Sequence, residues 1–188
     1  MSKFDTCNTT TKKKLFHQYC SSMYGSQLWD MTSQNAVKMH TKWRNAHRQI
    51  LKVPNTTHRD ILPLIANNMP IECILDSKYI AFYKSIATSE NKILNHMSKN
   101  RLYIHSSTLG RNMTHLMYKY GLKIEDMISL PKNRIKDHCY NKWSTNIIAE
   151  YPHYAQIIRD MFAMKEGRCN RIFTNEDCNL IINFFCTI

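Results

Sequence analysis

One predicted helix carries five lysine and arginine side chains that could bind a polyanion. The helix is expected to start after Ser33 and to run to about Lys52, and no acidic residue lies within it. At about 100° per residue the cations fan across one side of the helix. Cations of this kind neutralise phosphate groups of a nucleic acid, although such a face is alternatively a solvated surface with no specific partner. The cations are Lys38, Lys42, Arg44, Arg48 and Lys52.

The other side of this helix is apolar. Its spacing alternates between three and four residues, which predicts an amphipathic helix with one stripe in a core. Pro54 ends the helix, because a residue that precedes a proline is biased away from helical geometry. Arg59, in the connector that follows, completes the predicted set of nucleic-acid-binding residues. The apolar stripe consists of Ala36, Met39, Trp43, Ala46 and Ile50.

Charge is the strongest clue in the composition. The chain of 188 residues has 26 Lys and Arg against 14 Asp and Glu, a formal net charge of +12. Residues 1–60 and 92–142 each hold ten basic against three acidic residues, so the excess lies in two segments. A polyanion such as nucleic acid is the natural partner of these segments, and a basic surface without a specific partner is the alternative.

Length and hydropathy limit the class of protein. An apolar share of 43% is typical of a globular protein. With a mean hydropathy of −0.46 and no run of about eighteen apolar residues, a membrane-spanning segment is not expected. We found no export leader, and seven cysteines without a C-x-x-C pair indicate reduced thiols. We therefore expect an intracellular protein of the nucleus or cytoplasm.

The periodicity predicts an all-α fold, an irregular bundle of about eight short helices. The first helix is expected from Thr10 or Thr11 to Gly25. Caps and prolines mark most of the other starts. The starts assigned in this way are Ser33, Asp60, Pro70, Ser89, Ser107, Pro131, Pro152 and Thr174.

The helical pattern weakens from Arg101 to Ser107, which makes this stretch the best candidate for a boundary. The chain would then divide into a helical region at residues 1–100, with the basic amphipathic helix, and a second helical region at residues 101–188. A single unit is the alternative, since 188 residues suit one domain or two small ones.

The candidate catalytic and metal-binding residues lack the partners that such sites need. Glu125 and Asp126 form an adjacent pair typical of a helix start rather than of a magnesium site. His17 and Cys20 lie three residues apart, but two ligands are half of a zinc site. His138 next to Cys139 lacks a positioned partner. We expect no catalytic residue, no bound metal, no cofactor and no small-molecule substrate.

Five blocks of the chain form an ordered series. They are LFHQYCSSMYGSQLWD at residues 15–30, WRNAHRQILKVPNTTHRDILPLIANNMPIECIL at residues 43–75, the S-x-x-G-R-N signature at residues 107–112, the I-x-E and R-D patterns within residues 148–160, and IINFFCT at residues 181–187. These blocks resemble the reverse transcriptases of non-LTR, LINE-type (jockey-like) retrotransposons. Their order and spacing agree with that family over nearly the whole chain, and the longest block covers residues 43–75.

The resemblance implies the thumb and carboxyl-terminal region of an RNA-directed DNA polymerase. In that family the region follows the palm and helps to hold RNA and DNA. The matching positions make Arg44 and Arg48 contacts to the RNA or DNA backbone, Trp43 a core residue, and Thr57 and His58 connector residues. The polymerase palm of a longer parent protein is a second possible partner.

Departures from the family pattern limit what the chain is expected to do. The paired-aspartate Y-x-D-D motif, an endonuclease domain and a zinc knuckle are missing, and Val53 replaces the usual leucine. We therefore expect a non-catalytic nucleic-acid-binding fragment that is not an enzyme on its own. The alternative is a structural or interaction remnant of a degraded or domesticated element, with an exposed apolar patch where the palm would lie.

Overall fold

The computed structural model describes residues 7–20, 22–66, 68–102 and 106–165. Regular structure in these ranges is entirely helical, so the predicted all-α fold is confirmed. The α-helices are α1 (Thr9–Tyr19), α2 (Gln34–Leu51), α3 (Leu62–Ile65), α4 (Ile71–Ala87), α5 (Lys92–Leu102), α6 (Thr108–Tyr120), α7 (Ile124–Ser129), α8 (Lys132–Glu150) and α9 (Ala155–Lys165), with 3-10 turns at Ser26–Leu28 and Pro152–Tyr154. The helix predicted to start at Thr174 lies outside the described residues.

Local capping signals located several helix ends correctly. The hydroxyl oxygen of Ser33 accepts the Ala36 amide, and that of Ser107 accepts the Gly110 amide, as N-cap residues do. Gly121 ends α6 with a φ of 64°, a left-handed conformation that glycine adopts without steric cost.

The first helix ends earlier than predicted. It stops at Tyr19, whereas Gly25 has a φ of 74° and precedes the 3-10 turn. Beyond this end, Lys78 of α4 donates to the carbonyl oxygens of Ser22 and Met23. This contact joins residues about 55 positions apart, so no local pattern indicated it.

Two predicted caps are also wrong. Ile61, not Asp60, precedes α3, and the Asp60 carboxylate instead lies 3.4 Å from the Arg59 Nε. At the start of α5 the side chain of Asn91, rather than that of Ser89, accepts the amides of Ile93 and Leu94. In both cases a neighbouring polar residue offered a competing hydrogen bond.

Helix α4 is the centre of the described fold. It contacts α5, α7, α8 and the first 3-10 turn, so it is buried on more than one side. No single apolar stripe describes its burial, since Ile74, Phe82 and Ile86 of this helix are only partly buried. Its fully buried residues are Ile71, Cys73, Leu75, Asp76, Tyr79, Ile80, Tyr83 and Ala87.

The core crosses the predicted boundary near residue 101. The largest apolar cluster combines α4 with α6, α7 and α8. A smaller cluster joins Leu64 of α3 to Ile147, Ile158 and Phe162, and a third joins Trp43 of α2 to α4. The division of the chain into two regions stays a prediction, but the two stretches share their main core.

His47 is a buried residue of α2 that the apolar pattern did not select. Its ring stacks on Trp43 with centroids 3.7 Å apart and meets the edge of Phe16 at 4.8 Å. Nδ1 lies 3.2 Å from the Trp43 carbonyl oxygen and Nε2 lies 3.1 Å from the Asn68 amide nitrogen. The carbonyl requires a donor and the amide group offers one, so the neutral tautomer with its proton on Nδ1 satisfies both contacts.

Burial lowers the pKa of His47 to about 4, so stability should fall in mild acid. The unfolded chain takes up the proton near pH 6.5 and the folded chain only near pH 4, so the stabilisation is complete above pH 6.5 and is lost as the pH falls to about 4. The loss should be about 2 kcal/mol at pH 5 and should approach about 3 kcal/mol below pH 4. Urea unfolding at pH 7.5 and at pH 5 measures it, and His47→Phe should remove most of this pH dependence. An equal dependence in both proteins would contradict the assignment.

Candidate nucleic-acid interface

An exposed polar row runs along α2. The exposed positions are four, three, four and three residues apart, so they lie on one side of the helix. The stripe opposite is centred on Ala36, Trp43 and His47, which are buried, whereas Ala46 and Ile50 are only partly buried. The exposed row consists of Lys38, Lys42, Asn45, Gln49 and Lys52.

The three lysines of this row are available to a ligand. None of them forms an ion pair with a residue in the described ranges. Lys52 follows the last turn of α2 with a φ of 56°, where its charge also complements the helix carboxyl terminus. A row of lysines without acidic neighbours can neutralise phosphates at low cost.

Arg48 is turned into the protein instead. Its Nε and Nη2 donate to the Thr57 carbonyl oxygen at 3.2 and 2.7 Å, and its Nη1 donates to the Asn45 side chain at 2.8 Å. Thr57 is buried, so the guanidinium fastens the connector to α2. Burial lowers the pKa of Arg48, with the charge of Arg44 as a second cause, but an arginine stays protonated throughout the physiological range.

Arg44 is also engaged. Its Nη1 lies 3.1 Å from Oε1 of Glu72 on α4, and the same oxygen lies 3.6 Å from Nδ1 of His40. Burial lowers the pKa of His40 against the raising effect of Glu72. The Arg44–Glu72 pair therefore joins α2 to α4 through partly buried charges.

Arg59 remains exposed on the connector. Its Nε lies 3.4 Å from Asp60, and that carboxylate raises the pKa of Arg59. The exposed ion pair is weak and leaves most guanidinium donors available to another anion. Four of the six predicted residues are exposed cations, namely Lys38, Lys42, Lys52 and Arg59. The other two, Arg44 and Arg48, form contacts within the fold.

Sequence reasoning missed the intramolecular roles of the two arginines. The partner of Arg48 is a backbone carbonyl, which no side-chain pattern reveals. Glu72 lies 28 residues from Arg44, and only the packing of α2 on α4 brings them together. The sequence held one indication of the partner of Arg44. Glu72 is an acidic residue in the first turn of the helix predicted to start at Pro70.

The residues considered above as metal ligands or catalytic groups contribute to the fold instead. Asp126 accepts the Lys123 amide at 3.1 Å at the start of α7, as predicted. Cys139 is buried, and burial raises the pKa of its thiol to about 11, so it is not an activated thiolate at neutral pH. Within the described ranges no three His, Cys, Asp or Glu side chains converge as metal ligands.

Comparisons with protein-family models, with curated proteins and with solved structures give no match for this chain. The structure therefore defines its class only as an all-α protein with a basic helix face. Among the described helices, none is both long enough and apolar enough to cross a membrane.

Arg48→Ala should act on stability rather than on ligand affinity. It removes charge-assisted hydrogen bonds and leaves the buried Thr57 carbonyl without its donor, which should cost about 1.5–3 kcal/mol of unfolding free energy. Lys42→Ala, on the same helix but exposed, is the matched control and should change stability by less than about 0.5 kcal/mol. Urea unfolding measures both variants. Equal stabilities would contradict the anchoring role of Arg48.

Proposed function

We propose that this protein is a non-catalytic module that binds the sugar-phosphate backbone of RNA or DNA through α2 and Arg59. The observation that carries the proposal is the row of exposed lysines on α2 that has no acidic partner within the described residues. At about 1.5 Å per residue Lys38 and Lys42 are about 6 Å apart along the helix, and the phosphates of one strand follow one another at about 3.4 Å of rise along the duplex axis.

The resemblance to the thumb and carboxyl-terminal region of LINE-type reverse transcriptases supports this proposal. It predicts contacts to RNA and DNA from the same helix, although the lysines rather than Arg44 and Arg48 now carry the backbone contacts. The protein would work inside the cell, in the nucleus or the cytoplasm, where its polyanionic partner is found. Chemistry would require a palm domain on another segment or protein.

Salt dependence tests the number of contacts. If Lys38, Lys42, Lys52 and Arg59 each neutralise one phosphate, log K against log salt should have a slope of about −2.8 for a single strand and about −3.6 for a duplex. Fluorescence anisotropy with labelled RNA and DNA of one sequence measures the slope. Binding that salt leaves unchanged, or no binding at low salt, would refute the proposal.

Charge reversal locates the contacts in the same assay. Lys38→Glu with Lys42→Glu should reduce affinity and make the slope shallower by about two contacts. The control is Lys132→Glu with Lys136→Glu on α8, which changes the same charge at the same spacing on exposed residues. An equal loss in both double variants would mean that net charge, not α2, drives binding.

A structural or interaction remnant is the second candidate, and one exposed helix face favours it. Ile93, Leu94 and Met97 of α5 are 70%, 44% and 49% exposed, and their spacing places them on one side of the helix. Apolar groups clustered at a surface mark contacts with another protein. The palm of a longer parent protein would be the partner.

This candidate predicts self-association when the palm is absent. Sedimentation should detect oligomers at micromolar concentration, and Ile93→Gln with Met97→Gln should return the protein to a monomer. Val37→Gln, which removes an isolated exposed apolar side chain from α2, should leave the association unchanged. A wild-type protein that stays monomeric would count against an unpartnered α5 surface.

A further inference from the structure

A cavity lies between residues of α2 and α8. Its volume is about 250 Å³, and it is open to solvent. This is far more space than one water molecule occupies, and it lies just below the range of about 300–1,000 Å³ that is typical of ligand pockets. The residues of its wall used below are Trp43, Arg44, Arg59, Lys119, Lys142 and Trp143.

Four basic side chains line this cavity from four parts of the fold. Arg44 comes from α2, Arg59 from the connector, Lys119 from α6 and Lys142 from α8. Such convergence depends on tertiary packing, because these residues span about a hundred positions of the chain. The cavity is therefore a basic site distinct from the lysine row on the outer side of α2.

Three of these four charges have a carboxylate partner, and two of the partners, Asp60 and Glu72, line the cavity as well. Arg44 lies 3.1 Å from Glu72, Arg59 lies 3.4 Å from Asp60, and Lys119 lies 2.6 Å from Asp76. Lys142 has no ion pair with a described residue, so the wall keeps a positive charge after pairing.

Each arginine also keeps donors for a second acceptor. A guanidinium has five N–H groups, and its planar fork matches the oxygens of a phosphate. The two arginines and Lys142 together therefore suit one compact anion with several oxygen acceptors.

Trp43 belongs to the cavity wall but offers it no hydrogen-bond donor. The residue is 4% exposed, and its indole nitrogen, which makes no hydrogen bond within the described residues, is closed to solvent. A group in the cavity therefore does not reach this nitrogen, and Trp43 contributes ring surface to the wall.

The wall also offers ring surfaces. Trp143 of α8 is partly buried and lines the cavity together with Trp43, Tyr120 and two prolines. Aromatic faces of this kind stack with planar rings and support sugars, whereas the basic groups select an anion. The combination suits a phosphate attached to a nucleoside better than it suits a free metal ion or an apolar molecule.

We propose that this cavity binds the phosphate monoester of a single nucleotide, with the phosphate between Arg44, Arg59 and Lys142 and the ring portion on Trp143. The ligand is either a free nucleoside monophosphate or the 5′-phosphorylated end of a strand. This inference goes beyond the backbone contacts proposed for α2, since those need no terminal phosphate and none of the cavity residues except Arg59.

Calorimetry with the full chain tests the cavity. Adenosine and uridine monophosphates should bind, and the corresponding nucleosides should bind at least tenfold more weakly, because they lack the phosphate charge. Equal binding of nucleosides and monophosphates, or no binding of either, would overturn the proposal. Inorganic phosphate alone should bind more weakly than the monophosphates, and phosphate that binds equally well would overturn the role of the ring surfaces.

Three variants localise the binding. Lys142→Glu should weaken monophosphate binding by about tenfold, whereas Lys136→Glu, on an exposed position of α8 that does not line the cavity, should leave it unchanged. Asn146→Trp, at the exposed rim, should block entry without disturbing the core. Thermal unfolding of each variant verifies the fold, and equal effects of Lys142→Glu and Lys136→Glu would overturn the assignment to this cavity.

Competition identifies the source of the phosphate. The competitors are a 5′-phosphorylated oligonucleotide and the same strand with a 5′-hydroxyl. If only the phosphorylated strand displaces the monophosphate, the cavity binds strand ends. Failure of both strands to displace the monophosphate assigns it to a free nucleotide. Lys38→Glu with Lys42→Glu should leave monophosphate binding intact, so failure of the α2 proposal and failure of the cavity proposal are distinguishable.

Discussion

The arrangement of the described helices depends on the hydrogen bonds that the buried carboxylate of Asp76 accepts. It lies in the middle of α4, is 1% exposed, and accepts hydrogen bonds from Lys119 Nζ and Tyr120 Oη, each at 2.6 Å. A charge in an apolar core is costly unless it is paired and fully hydrogen-bonded. Because both donors come from the end of α6, this requirement fixes where α6 crosses α4.

The consequences of this carboxylate extend to the groups around it. Burial and the nearby charge of Asp76 together raise the pKa of the Tyr120 phenol, so Tyr120 stays a hydrogen-bond donor. Burial lowers the pKa of Lys119, but the charge of Asp76, the hydrogen bond to Asp76 and the nearby Cys73 and Glu72 together raise it above its usual value, so Lys119 stays charged. Both residues line the cavity between α2 and α8. The hydrogen bonds of Asp76 therefore also position two side chains in the wall of the proposed nucleotide site.

Arginine and lysine have different roles around α2. The arginines at positions 44 and 48 form directional bonds that join α2 to α4 and to the connector, which suits the rigid fork of a guanidinium. The lysines extend into solvent as mobile point charges, which suits contacts that do not depend on nucleotide sequence. Fastening the connector to α2 also holds Arg59 and Asp60 at the cavity. The outer row and the inner cavity thus share one scaffold but present different chemistry.

The amino-acid sequence by itself determined the helical class, the cationic character of α2 and several helix ends. Those features depend on spacing within about one or two turns, as with the Ser33 and Ser107 caps, the Gly121 stop and the prolines at positions 70 and 131.

Only the tertiary structure decided which cations remain available and which residues form the cavity. Arg48 donates to a backbone carbonyl, Arg44 pairs with an acid on another helix, and Lys78 donates to carbonyls distant in sequence, beyond the end of the first helix. Helix α4 is buried on several sides, so no single stripe described it. These outcomes depend on contacts between residues far apart along the chain, and local periodicity carries no information about such contacts.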